Sequence, residues 1–421
     1  MKTVFRNAKI LDLDLELGYK LGEVVVEDDT ISFVGEKYKG DFDREIDVCG
    51  NILSPGFVNC HAHSAMTILR GVKDDVSLQE WLFDNIFPRE EKLTSEDVYY
   101  GTLLAVFEYL RAGITCIQDY YFHEDGILKA LDKTGMRARI ALGLLTGDRM
   151  DDGYMDEQYE AIKKCPLIEP VVTAHSIYVY SEEKISKLVA YAKKKNLPLA
   201  IHLSETLKEV GDSTVKNNGL TPPQYLEQLG FFDRKCACFH CVHMDKDDLQ
   251  ILKDYDVDVV TCPSSNIKLA SGIAPIYAMQ NKNLNISIGT DGVASNNSLD
   301  MFKEMFLVST LSKVNLYKPD IVSARDVLKM ATINGAKTVG FENIGEIKVG
   351  KKADLILIDT KKAHMQPENN LLSNLVYSAK SSDVYLTMIN GKILFENGKF
   401  DIGFSEEEII KKVNEIAKRI G

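Results

Sequence analysis

Residues 55–63 read Pro55-Gly56-Phe57-Val58-Asn59-Cys60-His61-Ala62-His63, an apolar run that ends in two histidines. That ending decides between two folds. A doubly wound parallel sheet built for a nucleotide places a glycine-rich phosphate loop after its first strand, and none follows here. A closed (β/α)8 barrel instead gathers polar side chains at the C-terminal ends of its strands. Side chains two apart on a strand face the same side, so His61 and His63 can offer two imidazole nitrogens to one ion. His-x-His alone is a modest signal, because two strand-end histidines can equally face solvent.

Downstream of this stretch, short apolar runs alternate with amphipathic helical stretches. With Ser54–Cys60 as the first, the strand candidates are Ile114–Tyr120, Ala138–Leu145, Pro170–Ala174, Leu199–Leu203, Cys236–His243, Asp258–Cys262 and Asn285–Gly289. Helical patterns lie between most of them, for example Ser95–Arg111, Ser181–Lys195, Thr221–Leu229 and Asp245–Tyr255. Eight strands alternating with helices predict an α/β chain folded as a (β/α)8 barrel. The two ends of the chain read differently. Thr3–Ile10, Gly22–Glu27 and Thr30–Val34 near the start, and Ala353–Ile358, Val384–Ile389 and Lys392–Glu396 near the end, are strand-like, the last two joined by Asn390-Gly391. Asn-Gly between apolar runs is a strong hairpin signal. We expect residues 1–53 and 347–421 to build a small β-sandwich domain together, and residues 54–346 to build the catalytic barrel.

The 421 residues suffice for both units, and 45% hydrophobic with 27% charged residues supply a large core and a solvated surface. The formal net charge of -12 argues against nucleic acid as the main partner, since phosphate binders present a basic face. There is no run of eighteen apolar residues, so no membrane span is expected, and the N-terminus lacks the apolar stretch of a signal peptide. The eight cysteines are dispersed and mostly sit in strand-like runs, which favours reduced thiols and a cytoplasmic location. Cys238-x-x-Cys241 resembles half a zinc knuckle, but no second pair matches it.

Two more candidate ligands stand where strands end. His202 closes the run Leu199–Ile201, and Asp291 follows Ile286-Ser287-Ile288-Gly289-Thr290. Singly, one reads as a core histidine and the other as a turn residue. Four such residues at matching strand ends make a site for Zn²⁺ or Fe²⁺ with a position left for water. Glu205, three residues past His202, can move a proton beside the ion, or it is a surface glutamate opening the next helix. His240 could hydrogen-bond the attacking water; His243 reads as structural, and His123 and His364 as surface residues. His175 ends the fourth strand and either contacts substrate or supports a ligand. No lysine stands there to bridge two metals, which favours a single divalent ion per chain.

At this point the chain resembles the amidohydrolase superfamily, and within it the 5'-methylthioadenosine/S-adenosylhomocysteine deaminases. The resemblance runs through residues 55–63, Leu-Arg-Gly-Val at 69–72, Glu-Trp-Leu at 80–82, Thr-Ala-His-Ser at 173–176 and Ile-His-Leu-Ser-Glu-Thr at 201–206. It continues through His-Cys-Val-His at 240–243, Cys-Pro-Ser-Ser-Asn-Ile-Lys-Leu at 262–269, Gly-Thr-Asp-Gly-Val-Ala-Ser-Asn-Asn-Ser at 289–298 and Ala-Asp-Leu at 353–355. It implies a barrel beside a small β-sandwich and a mononuclear Zn²⁺-type site, with Fe or Mn as alternatives, that releases ammonia from the purine 6-position. By match of motif His61, His63, His202 and Asp291 are the ligands, Glu205 the proton shuttle and His240 the water-orienting residue. Glu90 matches the position that grips the ribose hydroxyls, His175 a further substrate contact and Trp81 an aromatic near the 5'-substituent; Ser295 lies in the last barrel motif as another substrate-binding candidate. The expected partner is a small-molecule nucleoside, and since such barrels often pair, a homo-oligomer is expected.

The sequence departs from the family at one place. Members that take S-adenosylhomocysteine carry arginines after the third strand, where Leu142 and Met155 stand here. Arg149 is the available substitute. Without a bidentate carboxylate clamp, the resemblance points to 5'-methylthioadenosine, 5'-deoxyadenosine or adenosine. A free-base aminohydrolase (guanine, pterin or triazine), a binuclear cyclic-amide hydrolase and a silent scaffold relative are the alternatives.

Overall fold

The structure is a computed structural model that describes residues 1–143 and 152–421. The chain begins with β1 (Lys2–Leu11), β2 (Tyr19–Glu27), β3 (Thr30–Gly35), β4 (Arg44–Asp47) and β5 (Ile52–Pro55). Eight strands follow: β6 (Phe57–Ala62), β7 (Ile114–Asp119), β8 (Arg137–Leu142), β9 (Ile168–Ala174), β10 (Leu199–Leu203), β11 (Cys236–His240), β12 (Asp258–Thr261) and β13 (Ile286–Ile288). β14 (Leu355–Ile358), β15 (Val384–Ile389), β16 (Lys392–Glu396) and β17 (Lys399–Phe400) come last.

β6 to β13 are parallel and pair in chain order with helices between them, as a (β/α)8 barrel requires. Several of those helices carry their own start signals. Thr94 and Asp97, Thr221 and Gln224, and Asp245 and Asp248 form reciprocal capping boxes at three of them. The other nine strands form one sheet, ordered β17-β16-β15-β14-β5-β1-β2-β3 with β4 alongside β1, so both chain ends meet in it. It has its own core of Phe5, Ile10, Val24, Ile31, Leu355, Leu386 and neighbours.

The first strand expected from sequence, Ser54–Cys60, is two strands. Ser54 and Pro55 pair with β14 in the end sheet, and the barrel begins at Phe57. Gly56 marks the crossing: a Cβ there would lie 2.1 Å from the Thr115 side chain. The Asn390-Gly391 turn joins β15 to β16 with positive φ at both residues, as a tight hairpin demands.

Two features position the site. The barrel closes where β13 meets β6: the Asp291 amide donates to the His61 carbonyl at 2.9 Å, and Asn59 and Thr290 exchange hydrogen bonds of 2.8 and 2.9 Å. The last helix, Glu406–Ile420, packs on helix Ser95–Arg111. Its final carbonyls receive the Arg89 guanidinium and the Lys92 ammonium, each at 2.8 Å. The barrel interior holds Val58, Cys60, Cys116, Ala200, Phe239, Val260 and Cys262. All eight cysteines are free; six are buried, Cys165 is partly covered and Cys49 is exposed. Among the described residues no helix is long and apolar enough to cross a membrane.

Candidate active site

The strand ends of the barrel open on a cavity of about 430 Å³. Its floor holds the histidines singled out by sequence. One ligand nitrogen each of His61, His63 and His202 lie within 4.8 Å of one another, as do ligand atoms of His61, His240 and Asp291. Asp291 Oδ1 stands 3.1 Å from His63 Nε2 and 3.5 Å from His61 Nε2. Backbone geometry makes this convergence possible: Asp291, His240 and Ser204 all sit just at or beyond strand ends with positive φ (60°, 69° and 49°). L-residues rarely adopt that conformation unless their surroundings impose it.

The donor set fits a divalent metal ion. His202 Nδ1 points at the His175 carbonyl at 2.7 Å, and His63 Nδ1 at the Tyr120 carbonyl. Each carbonyl accepts a hydrogen bond from Nδ1–H and so leaves Nε2 as a lone-pair donor, the support that metal-binding histidines generally have. His61 is completely buried, with Phe239 stacked on it at 3.9 Å between centroids, and neither ring nitrogen has a hydrogen bond. An imidazole left so in a protein interior loses free energy unless a ligand completes it. Burial pushes His61 down to about 3, so it stays neutral and able to ligate. Burial disfavours the Asp291 charge too, but the His61 and His63 imidazoles beside it hold that carboxyl well below the usual range.

Around this floor stand the other expected residues. Glu205 is buried and lines the cavity; its Oε2 lies 3.9 Å from His240 Nε2, and Ser271 Oγ donates to its Oε1 at 3.3 Å. Burial raises its pKa, and nearby His240 pulls less strongly the other way. His240 Nδ1 meets Asn266 Oδ1 at 2.8 Å, which leaves Nε2 free to face the cavity. Glu90 lines the cavity, 8% exposed, and its Oε1 has no hydrogen-bond partner. Burial pushes Glu90 up to about 7. His175 and Trp81 line the cavity as well, and His175 orients His202 through its carbonyl at the same time. Ser295 lines it, but its Oγ stands 2.9 Å from Asp291 Oδ2 and 2.8 Å from the Gly292 carbonyl. Arg149 lies outside the described residues. Leu142 and Met155 are buried in the hydrophobic core and do not line the cavity.

One sequence expectation fails and several residues escaped it. His123 is not a surface residue: it is half-buried, lines the cavity and bonds the Leu93 carbonyl at 3.1 Å. His364 is exposed, as expected, and pairs with Asp383 at 2.8 Å. His243 is structural, as expected, and meets the Ser271 carbonyl at 2.6 Å. Tyr121, whose buried hydroxyl has no partner, lines the cavity beside Glu90. It stands two residues past the end of β7, so the strand-end rule that selected the histidines would have found it. Asn266 and Ser271 carry no such signal.

The Amidohydrolase family model matches residues 52–394. A 5-methylthioadenosine/S-adenosylhomocysteine deaminase of Acetivibrio thermocellus is 40% identical over 434 aligned positions, covering 100% of both chains. A 5'-deoxyadenosine deaminase of Methanosarcina acetivorans is 39% identical, over 99% of this chain and 98% of its own. Among solved structures, an adenosine deaminase from Xanthomonas campestris with bound zinc superposes with a TM-score of 0.94 at 30% identity, over 99% of this chain and 98% of that one. With the family's model spanning most of the sequence and a full-length relative at this identity, the chain belongs to the amidohydrolase family.

Proposed function

We propose that this chain is a hydrolytic deaminase of adenosine-type nucleosides, acting on 5'-methylthioadenosine, 5'-deoxyadenosine and adenosine. The observation that carries this reading is one cavity that holds a histidine–aspartate cluster, a buried carboxylate beside it (Glu205), and a second buried carboxylate with an unsatisfied oxygen (Glu90). The cavity's size is in the range of small-molecule sites. The names of the full-length relatives point to the same chemistry.

His61, His63, His202 and Asp291 would hold a single zinc ion, which when bound supplies the Lewis acidity that brings the pKa of water towards neutrality. Glu205 takes a proton from the attacking water and delivers it to N1 of the purine. Its burial suits the first of these steps, because a raised pKa makes the carboxylate a stronger base towards the water. With Nδ1–H donating to Asn266 Oδ1, His240 presents Nε2 to the water and orients it towards C6. As the carbon becomes tetrahedral, Glu205, emptied by the delivery to N1, takes the water's second proton from the new C6 hydroxyl and passes it to the leaving amino group; ammonia departs and a 6-oxopurine nucleoside remains. Glu90 accepts hydrogen bonds from the two ribose hydroxyls, satisfying the oxygen that lacks a partner. S-adenosylhomocysteine ranks lower, since Leu142 and Met155 offer its carboxylate no cation.

Ammonia release from adenosine, 5'-deoxyadenosine, 5'-methylthioadenosine, S-adenosylhomocysteine and guanine, measured side by side, tests the reading. Turnover of the first three without guanine is expected; turnover of guanine alone would overturn it in favour of a free-base aminohydrolase. Two metal ions per chain by elemental analysis would favour a binuclear cyclic-amide hydrolase instead.

A further inference from the structure

The proton carrier of this reaction sits on a turn that is held from two sides. Ser204 and Glu205 follow β10, and Ser204 has a left-handed backbone, φ 49°. The Ser204 carbonyl accepts the amides of Val242 and His243, at 3.1 and 2.9 Å, which ties this turn to the one that carries His240. On the other side stands Glu209. Its Oε1 accepts the Ser204 amide at 3.0 Å and its Oε2 the Glu205 amide at 2.8 Å.

That arrangement is unusual for its sequence. Thr206-Leu207-Lys208-Glu209 reads as a capping box, and the Thr206 hydroxyl does cap the Glu209 amide at 3.1 Å. The reciprocal half would send the glutamate back to the Thr206 amide. Instead the carboxylate reaches past the cap to the two preceding amides. Glu209 is 3% exposed and does not line the cavity. A buried carboxylate that touches neither substrate nor ligand is costly unless its hydrogen bonds do something a neutral side chain would not.

We propose that Glu209 is a positioning residue of the deamination: its carboxylate fixes the two peptide units of the Ser204–Glu205 turn and thereby aims the Glu205 side chain at the reacting atoms. The inference rests on the reading of Glu205 as proton carrier. Glu209→Gln keeps the shape but turns an –NH₂ donor towards one of the two amide donors, so the turn loses a bond and relaxes.

A double-mutant cycle tests it, with wild type, Glu205→Gln, Glu209→Gln and the double variant assayed on 5'-methylthioadenosine, and with metal content, Tm and affinity for the deaminated product measured in parallel. Glu209→Gln is expected to lower kcat by about 10- to 100-fold, the size of a small misplacement of a catalytic group, with KM within about threefold of wild type. Metal content and product affinity stay unchanged. In the Glu205→Gln background the same substitution lowers kcat by no more than about threefold, because the residue it aims is already gone. A Glu209→Gln variant with wild-type kcat, a loss confined to KM, or a loss that recurs in full in the Glu205→Gln background would each overturn the proposal. Wild-type turnover by Glu205→Gln itself would instead overturn the proton path, and with it the premise.

Discussion

Glu90 is the residue whose chemistry is least settled by its neighbours. Its buried Oε1 has no partner, and burial pushes it up to about 7. In the proposed role only the ionised form accepts from both ribose hydroxyls, so kcat/KM is expected to rise with pH up to about 7 and then level. Glu90→Gln should abolish that rise and raise KM by about 10- to 100-fold, the worth of a charge-assisted hydrogen bond; a pH profile of both proteins checks this. Glu205→Gln should retain the metal, measured by mass spectrometry, while losing about 10²-fold or more in kcat. Removing the ion with a chelator should lower Tm, with recovery on adding Zn²⁺, because it leaves the His61 nitrogens buried and unsatisfied again. At this scale the sequence was legible where chemistry sits at a strand end: His61, His63, His202 and Asp291 stand together because three strands, β6, β10 and β13, end together. It was silent on Glu209, Asn266 and Ser271. Their contacts are made across turns whose left-handed backbones nothing in the residue types foretold, since Ser204, His240 and Asp291 are not glycines.

At the scale of elements, the eight barrel strands follow from alternating apolar runs and helical patterns, and the boundaries moved by only a few residues. The exception is the first, where two strands of different sheets abut at Gly56 and the hydrophobic run continues through both. Periodicity cannot mark such a crossing. The seam between β13 and β6 matters more for function. A Cβ on Gly289 would lie 2.6 Å from His61 Cβ and 2.9 Å from its amide nitrogen, so a single methyl group would force a ligand-bearing strand away. Gly289→Ala is expected to cost about 1–3 kcal/mol of stability and to reduce the metal-to-protein ratio. Denaturant unfolding and elemental analysis would read the two effects separately, and normal metal content would show that the seam tolerates the movement.

At the scale of the whole molecule, the end sheet is locked to the barrel by a buried ion pair. Arg137, at the start of β8, makes bonds of 2.7 and 2.9 Å to Asp354, which also accepts the Asn390 amide at 2.8 Å. Both side chains are almost inaccessible. Arg137→Ala would strand the carboxylate and should destabilise by about 3–5 kcal/mol. Lys208→Ala, which breaks the exposed Lys208–Asp212 pair, should change stability by no more than about 0.5 kcal/mol. Equal effects from the two, measured by thermal unfolding, would mean the buried pair is not the lock. The Ala-Asp-Leu motif at 353–355 was visible in the sequence, but its partner, 217 positions away, was not.

The clasp between the last helix and Arg89 and Lys92 has a practical side. Those two cations flank Glu90, so the cavity rim is braced by carbonyls at positions 420 and 421. Anchoring this protein to a bead or sensor chip through helix Glu406–Ile420 would pull on the brace and is expected to weaken nucleoside capture without moving the histidine–aspartate cluster. Met1, whose amino group pairs with the exposed Asp28, is the safer anchor.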